Sequence, residues 1–209
     1  MRPRRRRRGT AIDDPSARCR RRRKGFDRTG AALGTDLSQR GLRRAERAEP
    51  LRPSLSGYQW ISSGIRVEAD AVEAVKAAAD ILNAFIDEEL RSTGLGPQNL
   101  ALIGFSQGTM MSLYTAPRRD HPIAGILGYS GRIVGANLMA AETKSRPPVF
   151  LAHGEMDPVL PIECLDAAQQ TLEECDFSVQ TLRCPNLGHS IDENGLVQGT
   201  NFLRTIFGV

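Results

Sequence analysis

Apolar side chains recur at helical spacing in one long stretch, from Val67 to about Arg91. Successive apolar positions are three or four residues apart, which places them on one face of a helix. Gly94 and Gly96 follow and end the pattern, because glycine disfavours helix. We therefore predict an amphipathic helix that packs one side against a core. The residues of that side are Val72, Val75, Ala79, Leu82, Ile86 and Leu90.

Four short apolar runs follow this stretch, and helical patterns alternate with them. A strand buried on both faces reads as a continuous apolar run, so each run predicts a strand. The runs are residues 100–105, 123–129, 149–152 and 179–182. Helices are predicted from Ser106 to near Pro117, over 161–174 and over 195–207. Such alternation predicts an α/β fold, a mostly parallel sheet flanked by helices.

The first fifty residues differ in composition from the rest of the chain. They hold 17 of the 28 basic residues and 6 of the 24 acidic ones, including the runs Arg4–Arg8 and Arg20–Arg23. They show no apolar periodicity and cannot bury enough apolar surface to offset the entropy of ordering. We predict a disordered arginine-rich segment over residues 1–49 and one α/β domain over residues 50–209.

Three interpretations of the arginine-rich segment stay open. Arginine clusters displace counterions from phosphate backbones, so the segment could bind nucleic acid. A targeting peptide is less favoured, because Asp13 and Asp14 occur early and no amphipathic pattern appears. Translation of a GC-rich gene in a wrong reading frame also gives an arginine-rich sequence without strand patterns, so this stretch need not be native coding sequence.

The remaining composition excludes several classes of protein. No stretch approaches the roughly 18 apolar residues that a membrane span needs. No apolar run follows the basic start, so no secretory signal is expected. The four cysteines form no CxxC pair, which disfavours a zinc ribbon or a disulfide scaffold. These observations favour a cytoplasmic protein with reduced thiols.

Residues 104–108 read Gly-Phe-Ser-Gln-Gly and match the pattern G-x-S-x-G between a predicted strand and a predicted helix. In that context the pattern indicates a nucleophile elbow, a sharp turn that exposes the hydroxyl of Ser106. The amide N–H of Gln107, at the start of a helix, would then face the negative charge that develops on a substrate carbonyl oxygen. The alternative is a glycine-bounded turn with an inactive serine.

A serine hydroxyl needs a base, and His189 is the candidate that fits. In α/β-hydrolases the order along the chain is serine, acid, histidine, with the last two on loops after later strands. His121 precedes a strand, and His153 precedes any downstream acid, so we expect His153 to pack or hydrogen-bond locally. Asp157 follows a strand and would orient the base. Glu155 is the near competitor for that role.

These motifs together resemble the phospholipase/carboxylesterase family, small α/β-hydrolases related to acyl-protein thioesterases. The resemblance begins near Ala48 or Pro50. It implies hydrolysis of carboxylic esters or thioesters of small molecules or lipids, with no metal or cofactor, by a monomer or homodimer. Nucleic acid is not an expected partner. The segments that carry the resemblance are residues 104–108, His153-Gly154, Asp157-Pro158-Val159 and Leu187-Gly188-His189.

Two further residues enter as candidates for a substrate pocket. Gln59-Trp60 resembles a family segment that lines the acyl pocket, which makes Trp60 a candidate. Met110 follows the elbow and either packs in the core beneath the sheet or lines the same pocket.

The chain departs from the family upstream of Trp60. Relatives carry there an apolar strand that ends in a His-Gly-x-Gly type turn and donates a second N–H to the oxyanion. Residues 1–50 contain nothing similar, so the N-terminal strands are expected to be missing or replaced. Two consequences follow: the oxyanion hole has Gln107 alone, and strand 100–105 has an open apolar edge. A catalytically impaired hydrolase remnant is therefore an alternative function.

Overall fold

The computed structural model describes residues 49–50, 58–62 and 67–209. All of these residues belong to one compact unit. The predicted arginine-rich segment over residues 1–49 lies almost wholly outside the described residues, so its structure and the boundary at residue 50 stay predictions.

Each predicted helix and strand is present, with ends shifted by a few residues. Short 3-10 turns lie at Pro97–Asn99, Ala116–Arg118 and Ala136–Leu138. The helices are α1 Glu68–Thr93, α2 Gln107–Thr115, α3 Met139–Glu142, α4 Glu163–Glu174 and α5 Glu193–Phe207. The strands are β1 Glu49–Pro50, β2 Tyr58–Gln59, β3 Ala101–Phe105, β4 Gly125–Tyr129, β5 Val149–Gly154 and β6 Val179–Cys184.

Strands β3 to β6 form a four-stranded parallel sheet in the order β3-β4-β5-β6, which confirms the predicted parallel sheet. In its register Gly104 of β3 lies opposite Gly128 of β4, and Leu151 of β5 lies on the other side of Gly128. Strands β1 and β2 form a separate antiparallel pair. Because all four long strands run the same way, the loops after β3, β5 and β6 all leave the sheet at the carboxyl ends of its strands.

Two apolar clusters hold the layers together. One joins the buried side of α1, including Val75 and Ile86, to Met110 and Met111 of α2. The other packs Leu172 of α4 and its neighbours against the strands at the centre of the sheet. On the opposite face α5 packs over β4, β5 and β6. There the rings of Phe150 and Phe202 lie 5.7 Å apart between centroids.

The prediction that strand 100–105 is buried on both faces is wrong. Ile103 is 42% exposed and Phe105 is 36% exposed, although both belong to a continuous apolar run. The reason is position: β3 stands at the edge of the four-stranded sheet, and α5 covers the other three strands. The expected open apolar edge is therefore present among the described residues.

Within the described ranges, no helix is both long enough and apolar enough to cross a membrane.

Candidate active site

The turn between β3 and α2 has the backbone geometry of a nucleophile elbow. Ser106 has φ 53° and ψ −115°, a conformation that a non-glycine residue adopts only under constraint. Its amide N–H donates to the carbonyl oxygen of Tyr129 at 2.9 Å, which fixes the turn to β4. A Cβ on Gly104 would overlap the backbone of Gly108 and Thr109, so only glycine permits this close approach. The half-buried Ser106 thus sits on a strained, well-held turn.

Gln107 is the first residue of α2, so its amide N–H has no acceptor within the helix. That N–H is suited to an anionic oxygen placed beside Ser106. The Gln107 side chain is occupied elsewhere, in hydrogen bonds to the backbone of Trp60 and Ile61. Sequence reasoning considered only the amide N–H of Gln107 and missed the contacts of its side chain.

Asp157 and His189 form a direct hydrogen-bonded pair. His189 Nδ1 lies 2.7 Å from Asp157 Oδ2. The other carboxylate oxygen accepts the N–H groups of Val159 and Leu160 at 2.8 and 3.0 Å. The Asp157 side chain is fully buried, and 19% of the His189 side chain is exposed. The acid is therefore held rigidly, while the base reaches the surface.

Hydrogen bonding keeps Asp157 ionised despite its burial. Burial raises the pKa of this carboxyl, but the N–H groups of Leu160 and Val159 and the ring of His189 lower it by more, so the pKa lies below its ordinary value. An ionised carboxylate at this position accepts the Nδ1–H of His189. In the neutral ring, Nε2 of His189 is then the nitrogen without a hydrogen and can accept a proton.

His153 supports this pair from within the sheet. Its side chain is buried, and Nε2 lies 2.9 Å from the carbonyl oxygen of Leu160. Since a carbonyl oxygen only accepts, His153 Nε2 carries a proton, and it also lies 3.4 Å from Asp157 Oδ2. The expected local hydrogen bonding of His153 is confirmed.

The fold brings the three predicted residues to the carboxyl end of the sheet. Ser106 follows β3, Asp157 follows β5 and His189 follows β6. A Cβ on Gly154 would overlap the carbonyl oxygens of Leu187 and Gly188, so this glycine lets the loop that carries His189 approach β5. The rings of Phe105 and His189 lie 4.8 Å apart between centroids, at 51° to each other. The residue before the serine therefore contacts the base.

The other candidates lie apart from this constellation or remain open. Glu155 and His121 are exposed and take no part in the acid–base pair. Trp60 and Met110 are 8% and 7% exposed and belong to the cluster between α1 and α2. The structure thus places Met110 in the core, and the pocket roles of Trp60 and Met110 stay predictions.

Neither the thiols of Cys164 and Cys184 nor a metal cluster offers a competing centre in the described part of the chain. Burial raises the pKa of Cys184 to about 11 and also raises the pKa of Cys164, so both thiols are protonated at neutral pH and weak nucleophiles. Among these described residues no three His, Cys, Asp or Glu side chains lie close enough to share a metal ion.

Comparison with known families decides the relationship. A model of the family described as Phospholipase/Carboxylesterase matches residues 57–207, which include Ser106, Asp157 and His189. The chain belongs to this family. The predicted resemblance is thereby confirmed.

Curated relatives include enzymes named for ester and thioester substrates. The chain is 33% identical to acyl-protein thioesterase 1 of Kluyveromyces lactis over 121 residues, which are 56% of this chain and 51% of that enzyme. It is 28% identical to esterase YpfH of Escherichia coli over 153 residues, 71% of this chain and 63% of that protein. The match thus spans about half to three-fifths of the length of these relatives.

Solved structures support the fold. Esterase PE8 matches with a TM-score of 0.73 and 33% identity over 77% of this chain and 76% of its own. SOBER1 of Arabidopsis thaliana matches with a TM-score of 0.71 over 87% of this chain and 91% of its own. At 21% identity the second likeness bears on the fold alone.

Proposed function

We propose that this protein is a serine hydrolase that cleaves carboxylic esters or thioesters through an acyl-enzyme on Ser106. The hydrogen bond between Asp157 and His189, at the same carboxyl end of the sheet as the strained Ser106, carries the proposal. Family membership supports it independently.

The reaction would follow from the positions of these groups. Ser106 Oγ attacks the acyl carbonyl carbon while His189 Nε2 takes the hydroxyl proton, and Asp157 stabilises the resulting imidazolium. The Gln107 amide N–H holds the oxyanion. His189 then returns the proton to the leaving alcohol or thiol as the carbonyl re-forms. Water, deprotonated by His189, hydrolyses the acyl-enzyme, so no step calls for a metal or cofactor.

The substrate class rests on the relatives. Those named acyl-protein thioesterase or esterase favour an acyl ester or thioester of a small molecule or lipid. We propose that Trp60 and Met110, which belong to the same apolar cluster, border the acyl chain. A cytoplasmic location and a monomeric or homodimeric state remain predictions from the sequence.

A second candidate function is a hydrolase remnant with reduced activity. It is favoured because, among the described residues, no strand pairs with the outer side of β3, and the second oxyanion donor is expected from a preceding strand. Loss of one oxyanion donor lowers kcat by about 10²–10³. Nucleic-acid binding through residues 1–49 rests on the arginine runs alone.

A fluorophosphonate probe tests the proposal, because it labels only a serine whose hydroxyl is activated. We expect the full chain to be labelled and to hydrolyse short-chain aryl esters, with both properties lost in Ser106→Ala. Ser178→Ala, at an exposed serine before β6, is the matched control and should behave as the parent protein. Labelling with negligible turnover would favour the remnant, and a folded but unlabelled parent protein would refute the nucleophile assignment.

A further inference from the structure

The side-chain amide of Gln107 binds a distant stretch of backbone in the manner of a strand partner. Gln107 Oε1 accepts the N–H of Trp60 at 2.9 Å and that of Ile61 at 3.4 Å. Gln107 Nε2 donates to the carbonyl oxygen of Ile61 at 2.8 Å. One side chain therefore binds three polar backbone groups of a segment that lies 46 and 47 residues away.

Trp60 and Ile61 have no strand ladder or helix of their own to satisfy these groups. They follow β2, and both side chains are 8% exposed within the cluster between α1 and α2. Buried backbone groups need partners, and Gln107 supplies them for this segment. The hydrogen bonds thus fix the segment directly against the first turn of α2, beside Ser106.

We propose that Gln107 is a positioning residue whose side chain clamps the Trp60–Ile61 segment against the nucleophile elbow and so sets how acyl chains of different length are accommodated. The effect on acyl chains rests on the proposed function, whereas the clamp itself does not. The side chain of Gln107 acts through Trp60, while the backbone N–H of Gln107 is left free for the oxyanion.

The chemistry of the contact calls for glutamine in particular. The clamp uses one acceptor and one donor on the same planar group. Glutamate would keep the acceptor but bring a second oxygen to the carbonyl of Ile61, and methionine would offer neither hydrogen bond. Since any residue other than proline keeps the N–H at position 107, substitution separates the clamp from the oxyanion donor.

The chain offers an internal probe, because Trp60 is its sole tryptophan. We expect Gln107→Met to shift the fluorescence emission to longer wavelength and to raise acrylamide quenching several-fold, with a smaller change in Gln107→Glu. Gln170→Met is the matched control, because Gln170 is an exposed residue whose amide binds Glu174 on the surface of α4. Unchanged emission and quenching in a folded Gln107→Met protein would overturn the clamp.

Activity provides the second readout. The ratio of kcat/KM for a long-chain over a short-chain aryl ester should change several-fold in Gln107→Met, mainly through KM, whereas the control Gln170→Met should hydrolyse both esters as the parent protein does. Equal losses for both esters, through kcat, would overturn the positioning role. If the parent protein hydrolyses neither ester, the proposed function fails, and the fluorescence measurement still decides the clamp.

A measurement on the parent protein covers the case in which the variants do not fold. The clamp predicts that the amide protons of Trp60 and Ile61 exchange with solvent much more slowly than that of exposed Ser62. Exchange of all three amides at the same rate would overturn the proposal.

Discussion

The candidate site has two halves that are held in place in different ways. The acid–base half is the pair Asp157 and His189, and the nucleophile half is the turn at Ser106. Asp157 and His189, the proposed acid and base, follow β5 and β6, and every residue of β5 is buried. Asp157 accepts hydrogen bonds at both oxygens there, and His153 lies against it. The nucleophile follows β3, an edge strand on which Ile103 is 42% exposed.

The contrast shows that one site can combine two kinds of preorganisation. Burial and a closed set of hydrogen bonds hold the acid–base half. The nucleophile half depends on local backbone: the positive φ of Ser106, its hydrogen bond to Tyr129 and the close approach at Gly104. Damage to the first half should therefore disable the chemistry, whereas the exposed side of the second half should tolerate change.

Asp157→Asn should produce the largest effect. An asparagine can still accept the N–H groups of Val159 and Leu160, but its amide no longer stabilises the imidazolium and favours the wrong tautomer of His189. We expect kcat for an aryl ester to fall by about 10⁴, as in other triads, with the protein folded.

Glu155→Gln is the matched control for that variant, since Glu155 is exposed and two residues away. It should keep the activity of the parent protein. Activity that survives in Asp157→Asn and falls in Glu155→Gln would transfer the role of the acid to Glu155.

The next-largest expected effect is on stability, and it compares a substitution in β5 with one in β3. Leu151→Ala in β5 should lower the free energy of unfolding by about 2–5 kcal/mol, because Leu151 is 4% exposed and its removal leaves a cavity. Ile103→Ala in β3 should cost less than about 1 kcal/mol, because much of Ile103 is already in contact with water. Urea denaturation measures both changes. Equal costs would show that the outer face of β3 is covered as fully as β5.

The sequence allowed prediction of the features that local pattern determines. The spacing of apolar residues predicted α1, and the position of G-x-S-x-G between strand and helix predicted the elbow at Ser106. Chain order and a position just after a strand paired His189 with Asp157, with Glu155 as the competitor, because parallel strands end at the same end of the sheet.

Features set by neighbours in space were not predictable in this way. The run 100–105 has the pattern of a buried strand, and that pattern carries no information on whether α5 extends over it. The contacts between the Gln107 side chain and Trp60–Ile61 join positions 46 and 47 residues apart, and no spacing rule connects them. The residues of the site were therefore easier to predict than the contacts that hold them in place.

The two glycines of the elbow give the smallest and most local comparison. A Cβ at Gly104 would overlap the backbone of Gly108 and Thr109, whereas a Cβ at Gly108 would meet no atom of the described residues within 4 Å outside its own turn of helix. Gly104→Ala should cost about 1–3 kcal/mol of stability and most of the fluorophosphonate labelling, because the strand and α2 must separate.

Gly108→Ala should instead raise stability by about 0.4–1 kcal/mol, because alanine in a helix loses less backbone entropy on folding than glycine. Thermal unfolding and labelling of both variants measure the difference. If Gly108→Ala is as damaging as Gly104→Ala, an atom outside the described residues must lie against the first turn of α2. The nucleophile half would then be enclosed like the acid–base half, and the contrast between the two would disappear.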